Sequence, residues 1–199
     1  MATPPDAGLL LVVSGPSGVG KTTIVHQVRE RLGGRFSVSA TTRPRSDGEV
    51  DGEDYLFVSP ERFDEMVRTD AFLEHAEVFG RHAYGTPREP VDKALAEGEL
   101  IMLDIDVQGA MQVRDRMPSA FMLFILPPSD DELRRRLESR GREDEEAINR
   151  RFAEARREID LATGRDLYDA FITNDRLDRA VDEACRLVSA RRTIAAVEG

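Results

Sequence analysis

Eight consecutive residues, Gly15-Pro16-Ser17-Gly18-Val19-Gly20-Lys21-Thr22, fit the spacing G-x-x-x-x-G-K-[ST] at every fixed position. Each type has its own task in holding a phosphate chain. Glycines allow a tight turn that aims successive backbone N–H groups into one anion-sized hollow; the lysine ammonium reaches the outer phosphates, and the threonine hydroxyl ligates Mg²⁺. Lys21 is one of only two lysines, Lys93 being the other, in a chain that otherwise uses arginine. A compact point charge fits where a planar guanidinium fork does not, so the exception reads as geometric.

Such a loop works only between a strand and a helix. Leu9–Val13 is a short apolar run suited to a buried parallel strand, and Thr22–Leu32 places Ile24, Val25, Val28 and Leu32 at helical spacing. The helix start adds its partial positive charge to the anion site. Further apolar runs at Leu100–Leu103 continuing through Ile105, Phe121–Leu126 and Ala170–Thr173 read as core strands. Helical patterns lie around Val91–Glu97, Val107–Arg116, Ser129–Ser139 and Leu177–Arg191. The alternation predicts an α/β fold with a parallel sheet flanked by helices. Ser129-Asp130-Asp131-Glu132, after two prolines, is a capping-box start.

The texture changes twice. Residues about 36–88 are rich in glycine, threonine and tyrosine with short alternating segments, which predicts a small β-rich insertion, and about 138–155 is a charged helical stretch broken at Gly141. With 199 residues, 40% hydrophobic, the chain is long enough for one substantial core and short for two. A formal net charge of −10 argues against general binding to nucleic acid or anionic membrane. Cys185, alone and on an apolar helical face, reads as a packed thiol, and a single cysteine fits a cytoplasmic setting.

Nearly the whole chain resembles the guanylate kinase family, P-loop enzymes that phosphorylate GMP with ATP. The resemblance rests on GPSGVGKT, FSVSATTR at Phe36–Arg43, GEVDGEDYLFV at Gly48–Val58, FLEHAEV at Phe72–Val78, YGT at Tyr84–Thr86, LDIDVQGA at Leu103–Ala110, PPS at Pro127–Ser129 and RLESRG at Arg136–Gly141. It implies a single domain: a core of about 1–35, 90–137 and 156–199, a GMP-binding insertion at about 36–88, and a lid at about 138–155. ATP and GMP are the implied partners, with Mg²⁺ as cofactor.

By resemblance, ATP is held by Gly15, Pro16, Ser17, Gly18, Val19, Gly20, Lys21, Thr22 and Thr23, with Asn174 on the adenine side. Thr22 and Asp104 organise the metal, Asp104 through water. Guanine offers N1–H and N2–H₂ as adjacent donors and O6 as an acceptor, so its pocket needs a carboxylate and a hydroxyl. Family position gives these to Glu74, assisted by Ser39 and Asp106, and to Thr86. The GMP phosphate falls to Arg43, Arg45, Tyr55 and Tyr84, and the transferring group to Lys21, Arg136, Arg140 and Arg151.

The residues alone leave plainer alternatives. Without the family match Glu74 reads first as an exposed strand acid, one of Asp104 and Asp106 as a helix cap, and the lid arginines as salt-bridged surface. Two rivals follow: a protein-binding module without activity, against which intact Lys21 and Thr22 speak, and a P-loop kinase for another nucleotide, against which Glu74 with Thr86 speaks. Three departures from the family pattern stand out. His75 replaces a tryptophan, Arg176 replaces an acid after Asn174-Asp175, and the second phosphate arginine sits one place early, as Arg45 with Ser46 in its usual position.

Overall fold

The computed structural model describes residues 7–78, 81–139 and 144–198. Elements are numbered in chain order. Leu9–Ser14 forms β1, buried along its whole length. It needs no polar face because it has a parallel neighbour on each side, Leu100–Asp104 (β7) and Phe121–Leu126 (β8). Arg35–Phe36 (β2) and Ala170–Thr173 (β9) complete a five-stranded parallel sheet of order β2-β7-β1-β8-β9.

Alternate residues of each strand feed opposite faces. Leu9, Leu11, Val13, Met102, Leu123 and Ile125 pack with Ile24, Val25 and Val28 of Lys21–Leu32 (α1) and with Val181, Ala184 and Val188 of Leu177–Glu198 (α7). Leu10, Val12, Ile101, Leu103, Met122 and Phe124 pack on the other face. Their partners are Val91 and Ala94 of Arg88–Ala96 (α3), Val107, Ala110 and Val113 of Val107–Arg116 (α4), and Ala162 of Glu145–Thr163 (α6). Each fully buried aliphatic side chain contributes about 1.5–3 kcal/mol.

A second, four-stranded sheet runs β4-β3-β6-β5, from Ala40–Thr41 (β3), Leu56–Phe57 (β4), Phe72–Val78 (β5) and His82–Pro87 (β6). Pro60–Arg68 (α2) covers it through Phe63 and Met66, which pack on Ala40 and Phe72. Asp130–Glu138 (α5) follows β8, and its Leu133 and Leu137 bury against Ala155 of α6. Ser129 caps α5 by accepting from the Glu132 N–H at 3.2 Å, as its capping-box sequence predicts.

Four sequence expectations change. β2 lies in the core sheet, so residues 35–36 belong with the core strands. The stretch expected to be β-rich also holds the helix α2. Helix α6 runs unbroken from Glu145 past 155 to Thr163, joining the charged stretch to the core. And β7 ends at Asp104: Asp106 stands outside the strand as the N-cap of α4, accepting from the Gly109 N–H at 2.8 Å. The Gly141 break falls outside the described residues.

Candidate active site

The phosphate loop lies at the C-terminal end of β1. Gly20 ends it with φ 91, a left-handed conformation that favours glycine, and a Cβ there would come within 2.7 Å of the Asn174 amide nitrogen. No side chain caps α1 and its first turn holds no acid. Its N-terminal N–H groups are thus open to an anion, and the helix dipole favours one.

Because β7 is the parallel neighbour of β1, with Val13 opposite Asp104, the Asp104 carboxylate comes to the start of α1. One oxygen takes the Lys21 ammonium at 2.7 Å and the other accepts from the Thr22 hydroxyl at 2.9 Å. Hydroxyl and carboxylate form an all-oxygen pair of the kind a small divalent cation takes. A cavity of about 360 Å³ is lined by Gly15, Pro16, Ser17, Gly18, Gly20, Lys21, Thr22, Thr23, Asp106 and Glu158.

The loop is braced from below. Asn174 is buried and donates its amide to the Val19 carbonyl at 2.8 Å. Arg136 donates to the same carbonyl at 3.3 Å and to the Asn174 carbonyl at 3.0 Å, and Glu132 holds its Nε at 2.7 Å. Arg136 therefore supports the loop backbone here and does not line the cavity. Arg151, on α6, reaches the loop from the other side and donates to the Ser17 hydroxyl at 2.7 Å. Arg140 lies outside the described residues.

On the second sheet, Glu74 and Thr86 face each other across β5 and β6 and form a buried pair at 2.6 Å. Burial pushes the Glu74 carboxyl above its ordinary range; Thr86 works against this and Asp106 adds to it. The same carboxylate lies over the first turn of α4. A Cβ on Gly109 would sit 3.2 Å from Glu74 Oε2 and 3.5 Å from Asp106 Oδ1, so the missing side chain leaves room for both acids. Asp106 also lines the phosphate cavity, which makes it the residue shared by the two halves of the site. The Ser39 side chain forms no hydrogen bond among the described residues; its carbonyl accepts from the Leu56 N–H at 2.9 Å.

Arg43 is the centre of a third cluster. Its guanidinium grips Glu49 through two bonds of 3.0 and 2.7 Å and lies 5.3 Å from the Tyr55 ring centroid, with the Tyr84 ring 6.0 Å from that of Tyr55. Glu49, and then the Tyr84 hydroxyl, raise the Arg43 pKa further. The Arg43 guanidinium and the Ser46 N–H hold the Glu49 carboxyl down at about 2. Ser46 also accepts from Arg43 at 3.0 Å. Arg45 is exposed and makes no hydrogen bond or ion pair with any described residue.

Residue spacing missed two members. Glu49 was not assigned a partner, and no local pattern gives one. Glu158 lines the cavity, and burial pushes it up to about 7, Lys21 opposing and Asp106 assisting. The signal was available: Arg151, Ala155, Glu158 and Ala162 share one face of α6, and an acid between two buried alanines is out of place on an apolar stripe.

The guanylate kinase family profile matches residues 8–191. The chain belongs to the guanylate kinase family. A guanylate kinase of Gloeobacter violaceus is 53% identical over 180 residues, covering 90% of this chain and 86% of the relative. One from Thermus thermophilus is 48% identical over 185 residues, covering 93% and 82%. The crystal structure of guanylate kinase from Anaplasma phagocytophilum superposes with a TM-score of 0.68 at 33% identity, covering 94% of this chain and 87% of that one. Departures from the guanylate kinase pattern have defined places here. The His75 ring packs near Phe72 and Phe63, where burial lowers its pKa, and Arg176 pairs with Asp178 at 2.6 Å on the surface.

Proposed function

We propose that this chain transfers the terminal phosphoryl group of ATP to GMP, producing ADP and GDP. The observation that carries the reading is the buried Glu74–Thr86 pair, joined through Asp106 to a complete phosphate loop. A carboxylate beside a hydroxyl complements guanine's donor–donor–acceptor edge. Adenine would set its N1 acceptor against the carboxylate and leave a buried charge unpaired, which costs more than the roughly 1–3 kcal/mol of a neutral group, about 4 kcal/mol for a thousandfold preference.

The loop N–H groups and the α1 N-terminus take the ATP phosphates, and Lys21 leaves Asp104 to follow negative charge as it moves toward the β–γ bridge. Arg43, with Tyr55 and Tyr84, takes the GMP phosphate, which must displace Glu49 from the guanidinium. A GMP phosphate oxygen forms the new bond to the γ-phosphorus as the bond to the β–γ bridging oxygen breaks, and ADP carries away the electron pair. The attacking oxygen is already anionic, so no general base is needed. Arg151 with Arg140 and Arg136 supplies positive charge as the lid closes. Thr22 and Asp104 fit Mg²⁺ as a hydroxyl and a carboxylate donor; when bound, the ion neutralises phosphate charge. The lone cysteine supports a cytoplasmic setting.

The test is product analysis. Purified protein with ATP, GMP and Mg²⁺ should yield GDP and ADP in equal amounts by anion-exchange chromatography, with no phosphorylated protein by intact mass spectrometry. ADP released with inorganic phosphate and no GDP would refute the reading.

A further inference from the structure

No cation pairs with Glu74 among the described residues, and its hydrogen-bond partner is the neutral Thr86 hydroxyl. Burial and the neighbouring Asp106 work against its charge, and the Thr86 hydrogen bonds with the attraction of the Arg116 guanidinium offset only part of this. A carboxylate so placed gains by moving toward solvent unless its backbone is held. It sits on β5, which is an edge strand, so the outward N–H and C=O groups of that strand need partners other than another strand.

At His75 both groups are taken by one half-buried side chain of α4. The Gln112 carboxamide accepts from the His75 N–H at 3.2 Å and donates to the His75 carbonyl at 2.9 Å, as a neighbouring peptide would. Arg116, one turn further along α4, anchors the same edge. It donates to Gln112 Oε1 at 3.3 Å, to the Leu73 carbonyl at 3.4 Å and to Asp70 at 3.1 Å. The bonds fall on both sides of Glu74 in sequence, and the helix that makes them is the one Asp106 caps and Gly109 opens for the carboxylate.

We propose that Gln112, fixed by Arg116, is a positioning residue for acceptor recognition: its two-point grip on His75 holds Glu74 over the α4 N-terminus at the register a guanine edge requires. The inference rests on the reading of Glu74 as the guanine acceptor. Gln112 touches the strand and not the substrate. Its effect is therefore on acceptor binding, and a saturating acceptor restores the rate.

The test is Gln112→Glu, equal in size, which keeps the bond from the His75 N–H but sets an oxygen against the His75 carbonyl. One bond is lost and a repulsion added, so KM for GMP should rise about tenfold or more. At the same time kcat and the ATP KM should stay within about twofold, and preference for GMP over AMP should fall. Gln112→Met, which keeps the bulk without either bond, is the second variant if Gln112→Glu does not fold, and it should give the same split. A GMP KM within twofold of wild type in a folded variant overturns the proposal. So does an equal loss with both substrates, which marks a merely structural brace. Wild-type protein that does not use GMP selectively overturns the Glu74 reading itself, and is told apart because the variants are then not needed.

Discussion

Glu74→Gln removes one charge and keeps the volume of a side chain that is 8% exposed. In the ligand-free protein that charge is a cost, since burial raises the carboxyl pKa and Asp106 adds repulsion. A raised folded-state pKa means the folded protein holds the proton more tightly than the unfolded chain. Stability is then lost as pH rises from the unfolded value of about 4.5 through the folded one. The glutamine variant has no such loss. It should unfold at the same temperature as wild type or higher at pH 8, with the gap closing below about pH 4.5. With GMP bound the sign reverses. Guanine N1–H and N2–H₂ each donate to the carboxylate, and a hydrogen bond to a charged group is worth about 1.5–3 kcal/mol. Glutamine offers one oxygen and one NH₂, so one bond goes and a donor faces a donor. A loss of about 3–4 kcal/mol in transition-state binding lowers kcat/KM roughly two to three orders of magnitude. Coupled ADP-release kinetics and thermal denaturation at two pH values measure both effects. A fall in kcat/KM below about tenfold, with a less stable variant at pH 8, would show that Glu74 anchors Thr86 and does not read the base.

Lys21→Met should lower kcat/KM by several orders of magnitude while circular dichroism stays that of wild type, because the ammonium is needed most as charge migrates in the transition state. Arg45→Ala should change the GMP KM by less than about tenfold, since Arg45 makes no polar contact with a described residue and Ser46 instead braces Arg43 and Glu49; a larger rise would make Arg45 a phosphate clamp. Glu158→Gln should remove part of the fall in ligand-free stability between about pH 4.5 and 7, because burial lifts Glu158 to about 7 and its charging is disfavoured only when folded. Unchanged pH dependence in a folded variant would contradict that placement.

What was legible in the sequence was what depends on local spacing. The phosphate loop, the apolar runs of β1, β7, β8 and β9, and the Ser129 cap all come from neighbours in the chain. β2 was hidden because two residues carry no period; Arg35 and Phe36 become a strand only by pairing with Ile101 and Met102. Helix α2 did carry a signal: Ser59 before Pro60, then Phe63 and Met66 on one face, a start and an apolar stripe inside a segment that otherwise looked like strands. The sequence leaves open which of Asp104 and Asp106 caps a helix; packing decides it, with Asp106 on the α4 N-terminus and Asp104 on Lys21 and Thr22. The Gln112 grip on His75 joins residues 37 apart in sequence, and only the packing of α4 on β5 brings them together. The Arg136 contacts to the Val19 and Asn174 carbonyls span 117 and 38 residues of sequence, so no local spacing announces that it braces the loop.

The central claim is that a buried carboxylate–hydroxyl pair selects guanine for a phosphate-loop kinase. The most direct measurement is the ratio of kcat/KM for GMP to that for AMP, at saturating ATP and Mg²⁺. A polar pocket that leaves its charge unpaired against the wrong base should give a ratio of at least about a thousand. A ratio near one would contradict the assignment of Glu74 and Thr86.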